Sequence, residues 1–172
     1  MILVLGFLTA SCASSPDVAH FKEGVALAKG GQLNEAAAAY AAALEANPGL
    51  IEARLNLGTA LYKQGRLTQA EREFRLVLSQ DPEHVVAREN LATTLEAKGG
   101  YDEEAYQQWR LALVNETRPE WRERGKGAVE RLESRLRAAA DQEVGGPLSD
   151  VDTTLPKFAA IPRPNDIALV IG

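Results

Sequence analysis

The sequence has few of the residues that metal and disulfide sites require. Of its 172 residues one is a cysteine, Cys12, and two are histidines, His20 and His84. A single cysteine excludes an internal disulfide and a cysteine-rich zinc site, and the two histidines lie too far apart in the chain to show metal-ligand spacing. We therefore expect neither a metal ion nor a cofactor.

The chain also lacks a surplus of positive charge and a long apolar run. It carries 19 Lys and Arg residues against 24 Asp and Glu residues, for a formal net charge of −5. Nucleic-acid-binding proteins normally have a basic surplus, so we expect no nucleic-acid partner. No apolar run reaches the roughly 18 residues of a membrane-spanning helix. With 45% apolar and 25% charged residues, the composition is typical of a globular protein.

The residue patterns that catalysis needs are missing as well. The Gly125–Gly127 segment lacks the upstream glycine and the trailing hydroxyl residue of a phosphate-binding loop. Paired glutamates such as Glu71 and Glu73 are expected to lie on exposed helix faces as solvated charges. No nucleophile is accompanied by a recognisable base. The sequence predicts that the protein is not an enzyme and has no small-molecule substrate.

The chain begins with a short apolar segment that leads to its only cysteine. Residues 1–10 are too few to span a bilayer and are typical of the core of a secretory signal peptide. The sequence Leu-Thr-Ala-Ser-Cys that ends at Cys12 resembles the lipobox of bacterial lipoproteins. This resemblance implies a signal peptide at 1–11, lipid attachment to Cys12, and a lipidated N-terminus with a short linker at 12–16. An ordinary signal peptide, or a buried apolar helix with an inert cysteine, is the alternative.

The residue after the cysteine bears on localisation. Ala13 follows Cys12, where lipoproteins kept at the inner membrane of Gram-negative bacteria have Asp. By the same resemblance, the protein is expected in the cell envelope, as an outer-membrane lipoprotein that faces the periplasm.

Between these N-terminal residues and the tail, the sequence repeats itself. Four pairs of residues recur at one spacing of about 34 positions, namely Gly24 and Gly58, Ala36 and Ala70, Tyr40 and Phe74, and Pro48 and Pro82. A fixed period of this length indicates stacked supersecondary units. Glycine within a helix costs about 1 kcal/mol relative to alanine, so the recurring glycines indicate close helix approach, and we expect the recurring alanines to face them.

The repeating units resemble tetratricopeptide repeats. These consist of two helices with small residues where the helices cross and a proline after the second helix. The resemblance implies an all-α solenoid of about three repeats with a C-terminal capping helix, a domain that covers residues 17–140. The third unit begins at Val85 and contains one extra residue, so its closing proline is late, at Pro119.

The capping helix is predicted from Pro119 to about Ala140. Its apolar residues fall on one side and are expected to cover the end of the solenoid, namely Trp121, Gly125, Ala128, Val129, Leu132 and Leu136. Basic residues outnumber acidic ones between Arg118 and Arg137. We interpret them as a solvated outer face, and contact with an acidic lipid or an acidic partner is the alternative.

Residues 141–172 depart from the helical pattern. Glycines and prolines predict a linker up to Asn165 and a disordered tail, and the chain ends in an apolar run from Asp166 to Gly172. This run resembles the first strand of caspase-like peptidase domains. The resemblance implies a longer protein whose catalytic domain lies beyond residue 172. The alternative is a tail that docks as a strand on a partner, or a tail with no docking partner.

The tetratricopeptide resemblance also implies a concave groove lined by the first helix of each pair. The groove residues predicted on this basis are Phe21, Val25, Leu55, Asn56, Thr59, Tyr62, Lys63, Glu89, Asn90 and Thr93. Asn56 and Asn90 are the preferred contacts because an amide both donates to and accepts from a peptide backbone, although each could instead satisfy a neighbouring helix. Phe21 and Val25 stand where the family's carboxylate clamp for chaperone tails has basic and amide side chains, so such a tail is not expected.

Together these features predict a non-enzymatic adaptor for protein–protein interaction, anchored in the bacterial cell envelope through lipid on Cys12. Its groove would bind a protein or peptide segment, and assembly of an envelope complex is one role of this kind. The alternative is that the chain is the N-terminal anchoring and docking part of a caspase-like peptidase.

Overall fold

The computed structural model describes residues 15–144, and its elements are α-helices joined by short turns. They are α1 (Pro16–Lys29), α2 (Leu33–Ala46), α3 (Ile51–Lys63), α4 (Leu67–Gln80), α5 (Val85–Lys98), α6 (Asp102–Asn115) and α7 (Pro119–Val144). The predicted signal peptide, the lipid site at Cys12, and the linker and apolar run beyond residue 144 lie outside the described residues.

The helices form three hairpins followed by a single long helix. Within each hairpin the two helices pack together, and α2, α4 and α6 each pack against the next helix in the chain. The turns inside the hairpins depend on glycine: Gly31 and Gly65 have φ angles of 78° and 75°, which residues with a side chain rarely adopt. Each helix therefore contacts its sequence neighbours, and the predicted all-α solenoid is confirmed.

The recurring glycines mark the closest approach between the helices of a pair. A Cβ atom on Gly24 would lie 2.6 Å from the ring of Tyr40, and one on Gly58 would lie 2.6 Å from the ring of Phe74. In both pairs the nearest atoms belong to the aromatic ring one turn after Ala36 or Ala70, so the ring and not the predicted alanine makes the closest contact with the glycine. The repeat uses a glycine to admit a large ring, which buries more apolar surface than an alanine could.

The core continues without interruption into α7. Ala128 and Leu132 of this helix are fully buried, in one cluster with Leu91, Leu95 and Trp109. The apolar side predicted for the capping helix therefore faces the solenoid, and the helix extends four residues beyond the predicted end, to Val144. None of the helices within residues 15–144 has both the length and the apolar character needed to cross a bilayer.

Two glutamates that were expected on exposed helix faces are buried instead. Glu71 and Glu73 of α4 are 7% and 4% exposed. Glu73 accepts a hydrogen bond from Arg54 of α3 at 3.1 Å, and Glu71 pairs with Lys98 of α5 at 2.5 Å. The prediction was wrong because α4 is covered on both sides by other helices, so that residues outside its apolar stripe are also buried. The two ion pairs link α4 to the helices before and after it.

Candidate binding groove

A cavity of about 190 Å³ opens between α3, α5 and α7. Five of the predicted groove residues line it: Thr59, Tyr62, Lys63, Asn90 and Thr93. Phe74 and Arg124 complete the lining. The residues come together because equivalent positions of α3 and α5 stack side by side when successive repeats pack in register.

The polar side chains of this cavity are held by local hydrogen bonds. Asn90 Nδ2 donates to Thr59 Oγ1 at 3.4 Å, across the two helices. The hydroxyls of Thr59 and Thr93 each donate to the backbone carbonyl four residues earlier, at 2.9 Å. Each hydroxyl oxygen still has lone pairs, so these side chains can accept a hydrogen bond from a ligand without moving.

Four other predicted residues lie away from this cavity. Asn56 is half-buried on α3, one turn before Thr59, and Leu55 packs against the main core cluster. Phe21 and Val25 are half-buried on α1 at the opposite end of the solenoid, where the Phe21 ring lies 6.1 Å from that of Tyr40. These four residues do not line the cavity.

Glu89 is placed in a buried ion cluster rather than on an open surface. It is 3% exposed, and Arg118 lies 3.2 Å from one of its carboxylate oxygens and 2.5 Å from Glu116. Burial, together with a hydrogen bond to Glu116, raises the pKa of Glu89 to about 7 despite the guanidinium of Arg118. The hydrogen bond from Arg118 lowers the pKa of Glu116 to about 2. Glu89 thus joins α5 to the segment that precedes α7.

A second cavity, of about 340 Å³, adjoins the first. The two share Tyr62, Thr93 and Arg124 in their linings, so they form one groove. The remaining lining residues of the second cavity are Glu96, Ala97, Trp109, Arg131 and Arg135. This combined surface, from Thr59 and Lys63 at one end to Arg131 and Arg135 at the other, is referred to below as the basic groove.

The arginines of the basic groove were not predicted as site residues. Arg124, Arg131 and Arg135 all belong to α7, the helix predicted to be a cap with a solvated outer face. In the structure α7 packs on α6 as α3 packs on α2 and α5 on α4. It therefore has the place of the first helix of a fourth pair, and the signal that could have shown this is Pro119, which closes the third unit and is also the first residue of α7.

The cations of the basic groove are oriented by neighbouring side chains. The guanidinium of Arg124 lies 5.8 Å from the ring centre of Trp109 and 5.0 Å from that of Trp121. Arg131 and Arg135 both approach one oxygen of Glu96 at 3.8 Å, and Arg135 also pairs with Asp102 at 2.9 Å. Glu96 is fixed in turn, because its other oxygen accepts a hydrogen bond from Trp109 at 2.6 Å.

The groove combines cationic, aromatic and hydroxyl side chains. The hydroxyls of Thr59 and Thr93 donate to the backbone of their own helices, and no histidine or cysteine lines either cavity. Within residues 15–144 there is no cluster of three or more His, Cys, Asp or Glu side chains that could hold a metal ion. The arrangement is suited to binding an extended ligand.

Residues 27–84 match a family model described as "Tetratricopeptide repeat". No curated protein sequence matches the chain at a significant level. Among solved structures, the chain is similar to the Arabidopsis OM64 TPR domain, with 26% identity and a TM-score of 0.64 over 70% of this chain and 96% of that one. The matched segment and this likeness establish the fold as a solenoid of tetratricopeptide repeats.

Two further solved structures share the fold and contain peptides. The first TPR of Spaghetti (RPAP3), bound to the HSP90 peptide SRMEEVD, is 18% identical with a TM-score of 0.66, over 73% of this chain and 96% of that one. The Yersinia enterocolitica type III secretion chaperone SycD, in complex with a peptide of the translocator YopD, is 18% identical with a TM-score of 0.65, over 72% and 96%.

Proposed function

We propose that this chain is a non-enzymatic adaptor of the bacterial cell envelope that holds a segment of a partner protein in the basic groove. The observation that carries the proposal is the joining of the two cavities through Tyr62, Thr93 and Arg124. A groove shared by three helices accommodates a chain segment better than it does a compact small molecule.

The comparisons support the same class of ligand. RPAP3 and SycD, which have this fold, are each seen with a peptide of another protein. In the present chain the groove combines aromatic side chains with fixed hydroxyl and amide groups, which can recognise side chains and backbone of a bound segment.

The envelope part of the proposal rests on Cys12. Lipid on this residue would place the first helix, which begins at Pro16, within about 15 Å of the membrane surface, since an extended chain spans at most about 3.5 Å per residue. The solenoid would then present its groove to partners at that membrane. The adaptor would bring a partner to the membrane without changing it chemically.

The proposal is tested by site-specific photocrosslinking in cells that express the full chain. A photoreactive amino acid at Tyr62 or at Thr93 should capture the same protein adduct, because both positions line the shared part of the groove. Ser79 is the matched control, since it is exposed on α4 and lines neither cavity. Absence of adducts from both groove positions, or an adduct pattern identical to that of Ser79, would overturn the proposal.

A further inference from the structure

The charge of the basic groove is opposite to that of the whole protein. The chain has a formal net charge of −5, yet the two joined cavities are lined by four cations, Lys63, Arg124, Arg131 and Arg135, and one carboxylate, Glu96. Such a local reversal of sign attracts a negatively charged ligand and holds it in one place.

Two of these cations are not neutralised by protein carboxylates. Within residues 15–144 neither Lys63 nor Arg124 forms an ion pair. Arg131 and Arg135 share a single Glu96 oxygen at the long distance of 3.8 Å. Arg135 also pairs with Asp102 at 2.9 Å, and the side chains of Arg131 and Arg135 remain 65% and 50% exposed. The groove therefore has positive charge available for a ligand.

The arginines of α7 are spaced to meet an extended chain. Arg131 and Arg135 are about 6 Å apart along the helix axis, and Arg124 lies about 10 Å before Arg131, at 1.5 Å per residue. In an extended segment, side chains on one face recur about every 7 Å. Acidic residues two positions apart would thus fall opposite Arg131 and Arg135, and a further acidic residue on the same face would lie toward Arg124.

The cavity beside Arg124 has a different character from the arginine row. Phe74 and Tyr62 contribute aromatic rings to its lining, and its volume is about 190 Å³. This space is large enough for one apolar side chain, and Thr59 and Thr93 also belong to its lining. A ligand with an apolar residue next to acidic residues would match the aromatic cavity and the arginine row beside it.

We infer that the occupant of the basic groove is an internal acidic segment of a partner protein, with one apolar residue in the cavity between Thr59 and Arg124 and carboxylates along Arg124, Arg131 and Arg135. This inference rests on the proposed function and specifies its ligand. The apolar anchor contributes affinity, and the arginines select an acidic segment. Glu96, Asp102 and two tryptophans orient these arginines before the ligand binds.

The inference is tested by fluorescence anisotropy with the full chain in detergent and with synthetic peptides of about ten residues, the length that an extended groove ligand needs. The probe has one leucine flanked by glutamates and is blocked at both ends, so that no terminal carboxylate contributes. A second peptide has glutamine in place of every glutamate. The glutamate peptide should bind at least about tenfold more tightly than the glutamine peptide, and its affinity should fall as salt is raised from about 50 to about 300 mM.

Substitutions in the groove locate the binding. Arg124→Gln should weaken binding of the glutamate peptide about three- to tenfold, the range expected for one lost charged contact. Arg122→Gln is the matched control, because Arg122 is exposed on the same helix and lines neither cavity, and it should leave the affinity unchanged. If Arg124→Gln does not fold, as judged by circular dichroism, Lys63→Gln at the exposed end of α3 provides the same test.

Several outcomes would overturn the inference. Equal affinity for the two peptides would show that the groove does not select acidic residues. Equal effects of Arg122→Gln and Arg124→Gln would show that the peptide does not bind in the basic groove. Binding that requires a free C-terminal carboxylate would replace the internal segment with a chain end. These failures are distinguishable from failure of the proposed function, because groove photocrosslinks to a partner would still form in cells.

Discussion

Among single residues, Gly58 shows how a packed neighbour, the ring of Phe74, excludes any side chain from a repeat position. A Cβ atom there would lie 2.6 Å from Cε1 of Phe74, which is itself 1% exposed and cannot move away. Gly58→Ala should therefore lower the free energy of unfolding by about 1–3 kcal/mol, the usual cost of overpacking. Urea unfolding followed by circular dichroism measures this change.

A second helical glycine provides the control. A Cβ atom on Gly127 would meet only the end of the Arg131 side chain, at 3.6 Å. Gly127→Ala should be neutral or stabilise the protein by up to about 1 kcal/mol, because alanine favours a helix. If the two substitutions had the same effect, the contact between Gly58 and Phe74 would not be the cause.

Glu89 was predicted as a groove contact from its position in the repeat, but it is buried and affects stability instead. Folding raises its pKa from 4.5 to about 7. Because the folded pKa is the higher one, the contribution of Glu89 to stability is fully present below about pH 4.5 and is lost as the pH rises through 7. The lowered pKa of Glu116 acts in the opposite direction and in a more acidic range, with stability lost as the pH falls toward 2.

Glu89→Gln should remove this pH dependence. A glutamine keeps a neutral hydrogen-bond donor beside Glu116 at every pH. Between pH 5 and pH 8 the free energy of unfolding should therefore fall by about 1–2 kcal/mol less in the variant than in the parent protein. Glu52→Gln, at an exposed position on α3, is the control. Unfolding curves at several pH values measure the effect, and parallel pH profiles for Glu89→Gln and the parent protein would contradict it.

At the scale of the element, α7 both closes the core and supplies groove residues. Leu132 is fully buried and belongs to the same cluster as Leu91 and Leu95 of α5. Leu132→Ala should cost about 2–5 kcal/mol, as large-to-small substitutions in a core do. The measurement is chemical unfolding, with Ser134→Ala at an exposed position of the same helix as the control.

The number of unfolding transitions in Leu132→Ala is as informative as the loss of stability. If α7 is an integral part of the solenoid, unfolding should remain a single transition at a lower urea concentration. A separate early transition for α7 with the rest unchanged would mean that the helix is only loosely attached, and the basic groove would then lose one of its walls.

At the scale of the whole molecule, the proposed membrane anchor depends on one atom, the sulfur of Cys12. Cys12→Ala should move the protein from the membrane to the soluble fraction, because acyl chains contribute about 0.8 kcal/mol of membrane binding per buried methylene. Cell fractionation with a salt wash, and the intact mass of the membrane-extracted protein, measure this. Ser14→Ala is the control, and salt-resistant membrane binding by Cys12→Ala would contradict the prediction.

The architecture can be predicted from the sequence alone, because the repeated unit is short and its contacts are local. Positions such as Gly58 and Pro82 recur at one period, and in a solenoid each unit packs only against its neighbours. Helix pairs, their turns at Gly31 and Gly65, and the apolar side of α7 therefore follow from patterns within a few dozen residues. Half of the predicted groove residues also meet at one cavity, because equivalent positions of stacked helices lie side by side.

The burial of polar residues and the charges that face the groove depend instead on how the helices pack together. Glu71, Glu73 and Glu89 look like surface residues in the sequence, and their burial depends on helices that are distant in the chain, which provide Arg54, Lys98 and Arg118 as partners. The placement of Arg124 beside the residues of α3 likewise depends on how α7 crosses the last pair. Helical periodicity gives the side of a helix on which a residue lies, whereas its surroundings are determined by the packing of helices that the periodicity does not describe.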